Sequence, residues 1–247
     1  MTTADQPILE LDRVWRVHGS GHTAVEALRD ASLTVSAGEL VAVMGPSGSG
    51  KSTLLTLAGG LDRPTEGAVR VLGQDLAGLG PDQLAAVRRR TLGYVFQELN
   101  LLPGLTAAEN VSLPLELEGM RPGPARDQAL AALERVGLAK LVDRFPDDLS
   151  GGEQQRVAIA RAVVGERRLL LADEPTGALD SVTGESVMRL LRDACDHHGA
   201  AGVLVTHDAA HAAWADRVVF LRDGVLVDQA GPLAGPEALL RTEGARP

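Results

Sequence analysis

The run Gly45-Pro46-Ser47-Gly48-Ser49-Gly50-Lys51-Ser52-Thr53 has the residue types and spacing of a phosphate-binding loop. Its glycines let the backbone curl until N–H groups point at phosphate oxygens. The helix expected to start there adds a favourable potential for an anion. In that geometry Lys51 reaches the β- and γ-phosphates, Ser52 offers a hydroxyl to Mg²⁺, and Thr53 adds a further hydroxyl. Far downstream, Leu169-Leu170-Leu171-Ala172-Asp173-Glu174 reads as an apolar strand ending in two carboxylates, stopped by Pro175. Carboxylates beyond the C-terminal end of a parallel strand face the ligand crevice of an open α/β sheet. Asp173 is expected to hold Mg²⁺ through water. Glu174 is expected to orient and polarise an attacking water.

A second run, Leu149-Ser150-Gly151-Gly152-Glu153-Gln154-Gln155-Arg156, looks like another anion-binding helix start. Ser150 and Glu153 also fit an ordinary capping box. A plain cap does not require Gly151 and Gly152 in the first turn, where each costs about 0.5–1 kcal/mol relative to Ala. A backbone that must approach a phosphate does. Both readings hold together if Glu153 supports the turn while Ser150 and Gly152 face a ligand.

These groups need elements to carry them. Ile8–Val17 and Ala27–Val35 alternate apolar and polar residues as half-buried strands do, and Ala37-Gly38-Glu39 turns the chain. Leu40–Met44 is a short apolar run that reads as a buried strand leading into the phosphate loop. Ser52–Ala58 is helical, Gly67–Leu72 an alternating strand, Pro81–Arg90 an amphipathic helix, and Thr91–Phe96 a buried strand. Residues 97–165 change character: few strand signals, several prolines, and helices such as Ala125–Val136 and Glu153–Val164. Strand–helix alternation returns with Leu169–Ala172, Ser186–Ala194 and Val203–Thr206. Val218–Leu221 and Val225–Val227 flank Arg222-Asp223-Gly224, a good hairpin turn. The pattern is an α/β nucleotide-binding core interrupted by an all-helical insert.

Composition narrows the class. With 45% hydrophobic but only 2% aromatic residues, the core must be built from Leu, Val and Ala. A single cysteine, Cys195, excludes a disulfide framework and a cysteine zinc site, and is expected to be an inert thiol. Residues 1–7 are polar, and no apolar run approaches the ~20 residues of a membrane span, so no direct membrane insertion is expected. A net charge of −9 argues against a broad nucleic-acid surface. Arg88-Arg89-Arg90 is the basic exception, expected to be a solvated helix end.

Taken together, the Walker A run at 45–53, LSGGEQQRVAIARA at 149–162 and LLLADEPTGALD at 169–180 resemble the ATP-binding cassette (ABC) ATPases. The resemblance covers roughly residues 8–230. It implies a P-loop, RecA-like core with an N-terminal antiparallel β subdomain in residues 1–96 and 166–235. Residues 97–165 would be the helical subdomain and 236–247 a tail. It implies that ATP and Mg²⁺ bind, and that two copies close over two ATP. Ser150, Gly151, Gly152 and Glu153 would then meet the γ-phosphate held by the other subunit, with Asp180 across the interface. Gln97 matches a glutamine that contacts Mg²⁺ or the attacking water and hinges the insert. His207 matches a histidine that contacts the γ-phosphate. His18 falls where the family places a base-stacking aromatic, usually Tyr, while Trp15 nearby is expected to face the β-subdomain core.

Gly59–Gly67 and Val95–Val111 are similar to the macrolide-export and lipoprotein-release branch (MacB, LolD and FtsE types), with Leu99 replacing the usual Phe. That branch implies a membrane permease docking near residues 97–118 and a location on the cytoplasmic face of the membrane. Export of lipoprotein, peptide or drug, transmembrane signalling without cargo, and amino-acid import all remain open. A soluble cassette acting on nucleic acid or ribosomes lacks support here: there is no second cassette, long coiled-coil insert or zinc motif. A GTPase switch lacks its Asn-Lys-x-Asp run.

Overall fold

Strand β1 (Leu9–His18) lies between β2 (Val25–Val35) and β4 (Glu66–Val71) in an antiparallel sheet that β5 (Gln74–Asp75) completes. The computed structural model describes residues 6–177 and 179–230. The tail placed at 236–247 and residues 1–5 lie outside the described residues. The second sheet runs β10-β9-β3-β8-β7-β6. Its members are β3 (Leu40–Met44), β6 (Leu92–Val95), β7 (Leu169–Asp173), β8 (Ala201–Val205), β9 (Arg217–Arg222) and β10 (Val225–Ala230). All neighbours in it are parallel except the β9–β10 hairpin. The central strands β7 and β8 are buried at every residue, which is why they read as unbroken apolar runs rather than alternating ones.

Helix α1 (Lys51–Ala58) follows β3, α2 (Pro81–Thr91) precedes β6, α6 (Ser181–His198) links β7 to β8, and α7 (Ala209–Ala212) follows β8. Between β6 and β7 come only helices: α3 (Ala107–Leu117), α4 (Pro122–Arg135), α5 (Gly151–Val163) and a short 3₁₀ turn. Two large cores result. Leu9, Leu28, Leu55, Val43, Leu171 and Val203 belong to the one that joins the two sheets across α1. Val111, Leu115, Leu133, Ile159, Met188 and Leu204 belong to the one that joins the helical insert to α6 and the other sheet face. The mixed α/β architecture agrees with the expected fold class.

Three local expectations change. A bulge at Asp12–Arg13, with Arg13 at φ 47°, resets the inside–outside parity of β1. Val14 is therefore fully buried, and Trp15 stays outside the cores. Arg88 and Arg89 are half-buried rather than solvated. The Arg88 guanidinium donates to the Gly60 carbonyl at 3.0 Å, and the Arg89 carbonyl accepts from buried Arg167. Cys195 lies inside α6, not beyond it, and burial pushes its thiol up to about 11, which keeps it protonated and inert.

Candidate functional site

At the C-terminal ends of β3, β6, β7 and β8 the chain leaves a cavity of about 920 Å³. Its walls include Gly45–Gly48, Gly50–Thr53, Gln97, Asp173, Glu174 and His207. Residues separated by up to 182 positions in sequence, Val25 to His207, are thus brought to one crevice, as parallel α/β topology requires.

The loop from β3 to α1 is built around glycine. Gly45, Gly48 and Gly50 have φ of 156°, 77° and 106°. A Cβ on Gly45 would stand 2.1 Å from the Leu221 carbonyl oxygen, and one on Gly50 would stand 2.2 Å from that of Ala27. The loop is braced from outside by the β9–β10 turn, where Gly224 N–H donates to the Ser49 carbonyl at 3.0 Å. Gly50 is the N-cap of α1 and offers no side-chain cap, and the first turn holds no acidic residue. The first N–H groups of α1 therefore remain available to an anion. Lys51 Nζ donates to the carbonyls of Gly45 and Pro46, both at 2.8 Å. It forms no ion pair with any described residue. The buried hydroxyl of Ser49 has no hydrogen-bond partner among the described residues.

Opposite this loop, Asp173 ends β7 and is buried. Burial raises its pKa, and a hydrogen bond with Ser52 works against that rise. Glu174 follows in the left-handed region at φ 48°. Its N–H continues the sheet to the Val205 carbonyl at 3.0 Å, and its carboxylate turns to His207 Nδ1 at 2.7 Å. That contact, then its charge, raises the pKa of His207 above the ordinary 6.5. Gln97 follows β6, and the adjoining loop is fixed by Arg161 of α5, which donates to the carbonyls of Leu99 and Asn100 at 2.7 Å.

The crevice fits a magnesium–nucleotide polyphosphate. It offers a glycine cradle, an orphaned hydroxyl and an ammonium with no carboxylate partner. No group of three or more His, Cys, Asp or Glu that could hold a metal exists among the described residues. Ser52 and Asp173 would therefore hold a cation that takes its other ligands from phosphate and water.

Other expected site residues stand apart. Ser150 caps α5, accepting from Glu153 N–H at 3.4 Å, while the Glu153 carboxylate accepts from Ser150 N–H and Oγ–H at 2.7 and 2.8 Å. This capping box lowers the pKa of Glu153. Of the run, Gly151 and Gln155 reach the cavity; Ser150, Gly152 and Glu153 do not. Asp180 caps α6 through the N–H groups of Val182 and Thr183 and lines a neighbouring cavity of about 620 Å³, which shares Glu174, Gly177 and His207 with the first. His18 is exposed at the end of β1 and pairs with Val25 of β2; Val25, Glu26 and Ala27 line the cavity, and His18 does not.

Gln155, to which the motif alone assigns no role, is buried and donates from Nε2 to the Glu174 carbonyl at 3.3 Å. Its helical face, shared with Ala158, Ile159 and Ala162, was the available signal: one polar residue in an apolar stripe. The Val25–Ala27 wall depends on strand pairing and had no local signal.

The ABC transporter family model matches residues 28–177 of this chain. The chain belongs to the ABC transporter family. It is 48% identical over 241 residues to the macrolide export ATP-binding/permease protein MacB of Bordetella avium (strain 197N). That alignment covers 97% of this chain and 37% of the relative. MacB of Hyphomonas neptunium (strain ATCC 15444) is 47% identical over 225 residues, covering 91% of this chain and 35% of that one. The chain thus spans about a third of the length of these curated relatives. Among solved structures it is similar to the ATP-binding cassette MJ0796, described as dimeric and in a post-hydrolysis state bound to ADP and Pi. The TM-score is 0.88 at 41% identity, covering 92% of this chain and 100% of that one. A second dimeric MJ0796 structure matches at TM-score 0.88 and 42% identity, with the same coverage. No helix among the described residues of this ABC chain is long and apolar enough to cross a membrane.

Proposed function

We propose that this ABC chain is an ATP-hydrolysing motor subunit, one cassette domain whose two copies close over two ATP and drive a membrane permease. The observation that carries this is the convergence of Lys51, Ser52, Gln97, Asp173, Glu174 and His207 on one crevice beside a glycine cradle. Phosphoryl transfer to water needs little covalent help, so positioning and charge do the work. The N–H groups of the loop and α1 bind the phosphates, with Lys51 leaving its two carbonyls for them. Bound Mg²⁺ would neutralise phosphate charge, held by Ser52 and Asp173, with Gln97 at its edge. Glu174 orients and polarises the attacking water. His207 holds Glu174 through Nδ1 and contacts the γ-phosphate of bound ATP.

Ser150–Glu153 and Asp180 act on the partner's nucleotide. Ser150 and Asp180 are exposed at helix starts and line no part of the nucleotide crevice of their own chain, which supports this, as do the dimeric cassettes the chain resembles. The surface around residues 97–118 docks the permease, whose cargo is lipoprotein, peptide or drug. Relatives named for macrolide export support this direction over import. The chain then sits on the cytoplasmic face through that partner. Glu174→Gln tests the chemistry: it should bind ATP, accumulate as a dimer, and hydrolyse ~10²–10⁴-fold more slowly, the range of a positioned acid–base group. Near-normal turnover would remove Glu174 from the reaction.

A further inference from the structure

We infer that His211 is a positioning residue for ATP hydrolysis, tying the loop that carries Glu174 to the segment that carries His207. The inference rests on the proposed roles of those two residues. The loop after β7 begins at Glu174 in a left-handed conformation that its own backbone does not favour. Something outside the loop must hold it. The Glu174 backbone is held by Val205 and Gln155, but its side chain pairs with His207, whose own side chain is 78% exposed and easily displaced. Deeper in, Thr176 is buried, and its Oγ1 lies 3.1 Å from His211 Nδ1.

His211 is itself fixed. It belongs to α7, whose N-cap Asp208 accepts from Ala210 N–H at 2.7 Å and donates its own N–H to Thr206 Oγ1 at 3.1 Å. Asp208 Oδ2 also stands 3.4 Å from His211 Nδ1. Nδ1 therefore faces two oxygens, one on each segment it joins. Behind the pair lies Gly184 of α6, where a Cβ would stand at ordinary contact distance, 3.6 Å, from both His211 Nε2 and Thr176 Cγ2. The same α6 is capped by Asp180. One imidazole thus links the loop after β7 to the segment after β8, beside the helix that starts at Asp180. Loss of the link lets Glu174 and His207 drift relative to each other without disturbing the phosphate cradle, which lies on β3 and α1.

The test compares steady-state ATP hydrolysis by wild type, His211→Ala, Thr176→Val, the double variant, His211→Asn and His211→Gln. His211→Ala should lower kcat about three- to tenfold, what one ordinary hydrogen bond carries, with KM for ATP unchanged. The double variant should lose no more than the worse single one, because both remove the same contact. His211→Asn should recover most of the rate, since its amide occupies the Nδ1 position; His211→Gln should not. If His211→Ala melts below assay temperature, the Asn–Gln contrast decides. An unchanged kcat, a loss confined to KM, losses that multiply, or equal rates for Asn and Gln would each overturn the proposal. Normal turnover by Glu174→Gln would overturn the role of Glu174 instead, leaving the tether to be judged from its own variants.

Discussion

Gly48 and Gly50 sit in one loop, both with positive φ, yet they should answer to alanine differently. At 77° and 106° each confers backbone strain on any L side chain, worth about 1–3 kcal/mol. A Cβ at Gly48 meets nothing within 4 Å, so that is the whole cost. A Cβ at Gly50 meets the Ala27 carbonyl oxygen at 2.2 Å and Leu28 Cδ2 at 3.1 Å. Ala27 is held in β2, and the next residue's leucine side chain is fully buried in the core between the sheets, so neither yields cheaply. Overpacking of that kind adds ~1–3 kcal/mol. Gly50→Ala should therefore unfold in urea with a stability loss of ~2–6 kcal/mol, against ~1–3 for Gly48→Ala. Equilibrium urea melts of the nucleotide-free protein, compared at equal m-values, measure the difference. Equal losses would refute the close packing of Gly50 against β2.

Two further outcomes follow from the charges of the site. The His207 contact with Glu174 raises the histidine pKa, so NMR titration should place it above 6.5 and Glu174→Gln should return it toward that value. A raised folded-state value means the stability from this pair is complete below 6.5 and is lost as pH rises through the raised pKa. A wild-type value at or below 6.5 would contradict the contact. Burial likewise raises the pKa of Asp173, so its charge at neutral pH destabilises the empty protein. Asp173→Asn should raise Tm without nucleotide and abolish the extra Tm gained when Mg²⁺ is added with ATP. An unchanged magnesium effect would remove Asp173 from the cation site.

What the sequence revealed follows how local each signal is. Gly45–Thr53 and Leu169–Glu174 were legible because phosphate loops and strand-end carboxylates are contiguous runs whose periodicity places them. The β9–β10 turn was legible for the same reason: Asp223 and Gly224 have φ of 49° and 78°, as a two-residue hairpin needs. Helix α3 was harder. Thr106 and Glu109 form a capping box, but Pro114 inside the helix reads as a breaker, and tertiary packing of Val111 and Leu115 overrides it. Trp15 and Arg88–Arg89 depend on effects beyond the local run: a bulge in β1, a distant carbonyl that accepts from Arg88, and a distant guanidinium that donates to the Arg89 carbonyl. The Thr176–His211 contact joins residues on different strand ends and carries no signal in the chain between them.

In the proposed dimer, Ser150–Glu153 of one copy completes the site built on Lys51 of the other. Mixing Lys51→Ala with Ser150→Ala protein tests it directly. Each alone should be inactive. In a two-fold dimer the mixed pair contains one whole site, so an equal mixture should recover about a quarter of wild-type ATP turnover. A mixture as inactive as its parts would contradict the account, because a site completed within one chain cannot be rescued by its partner.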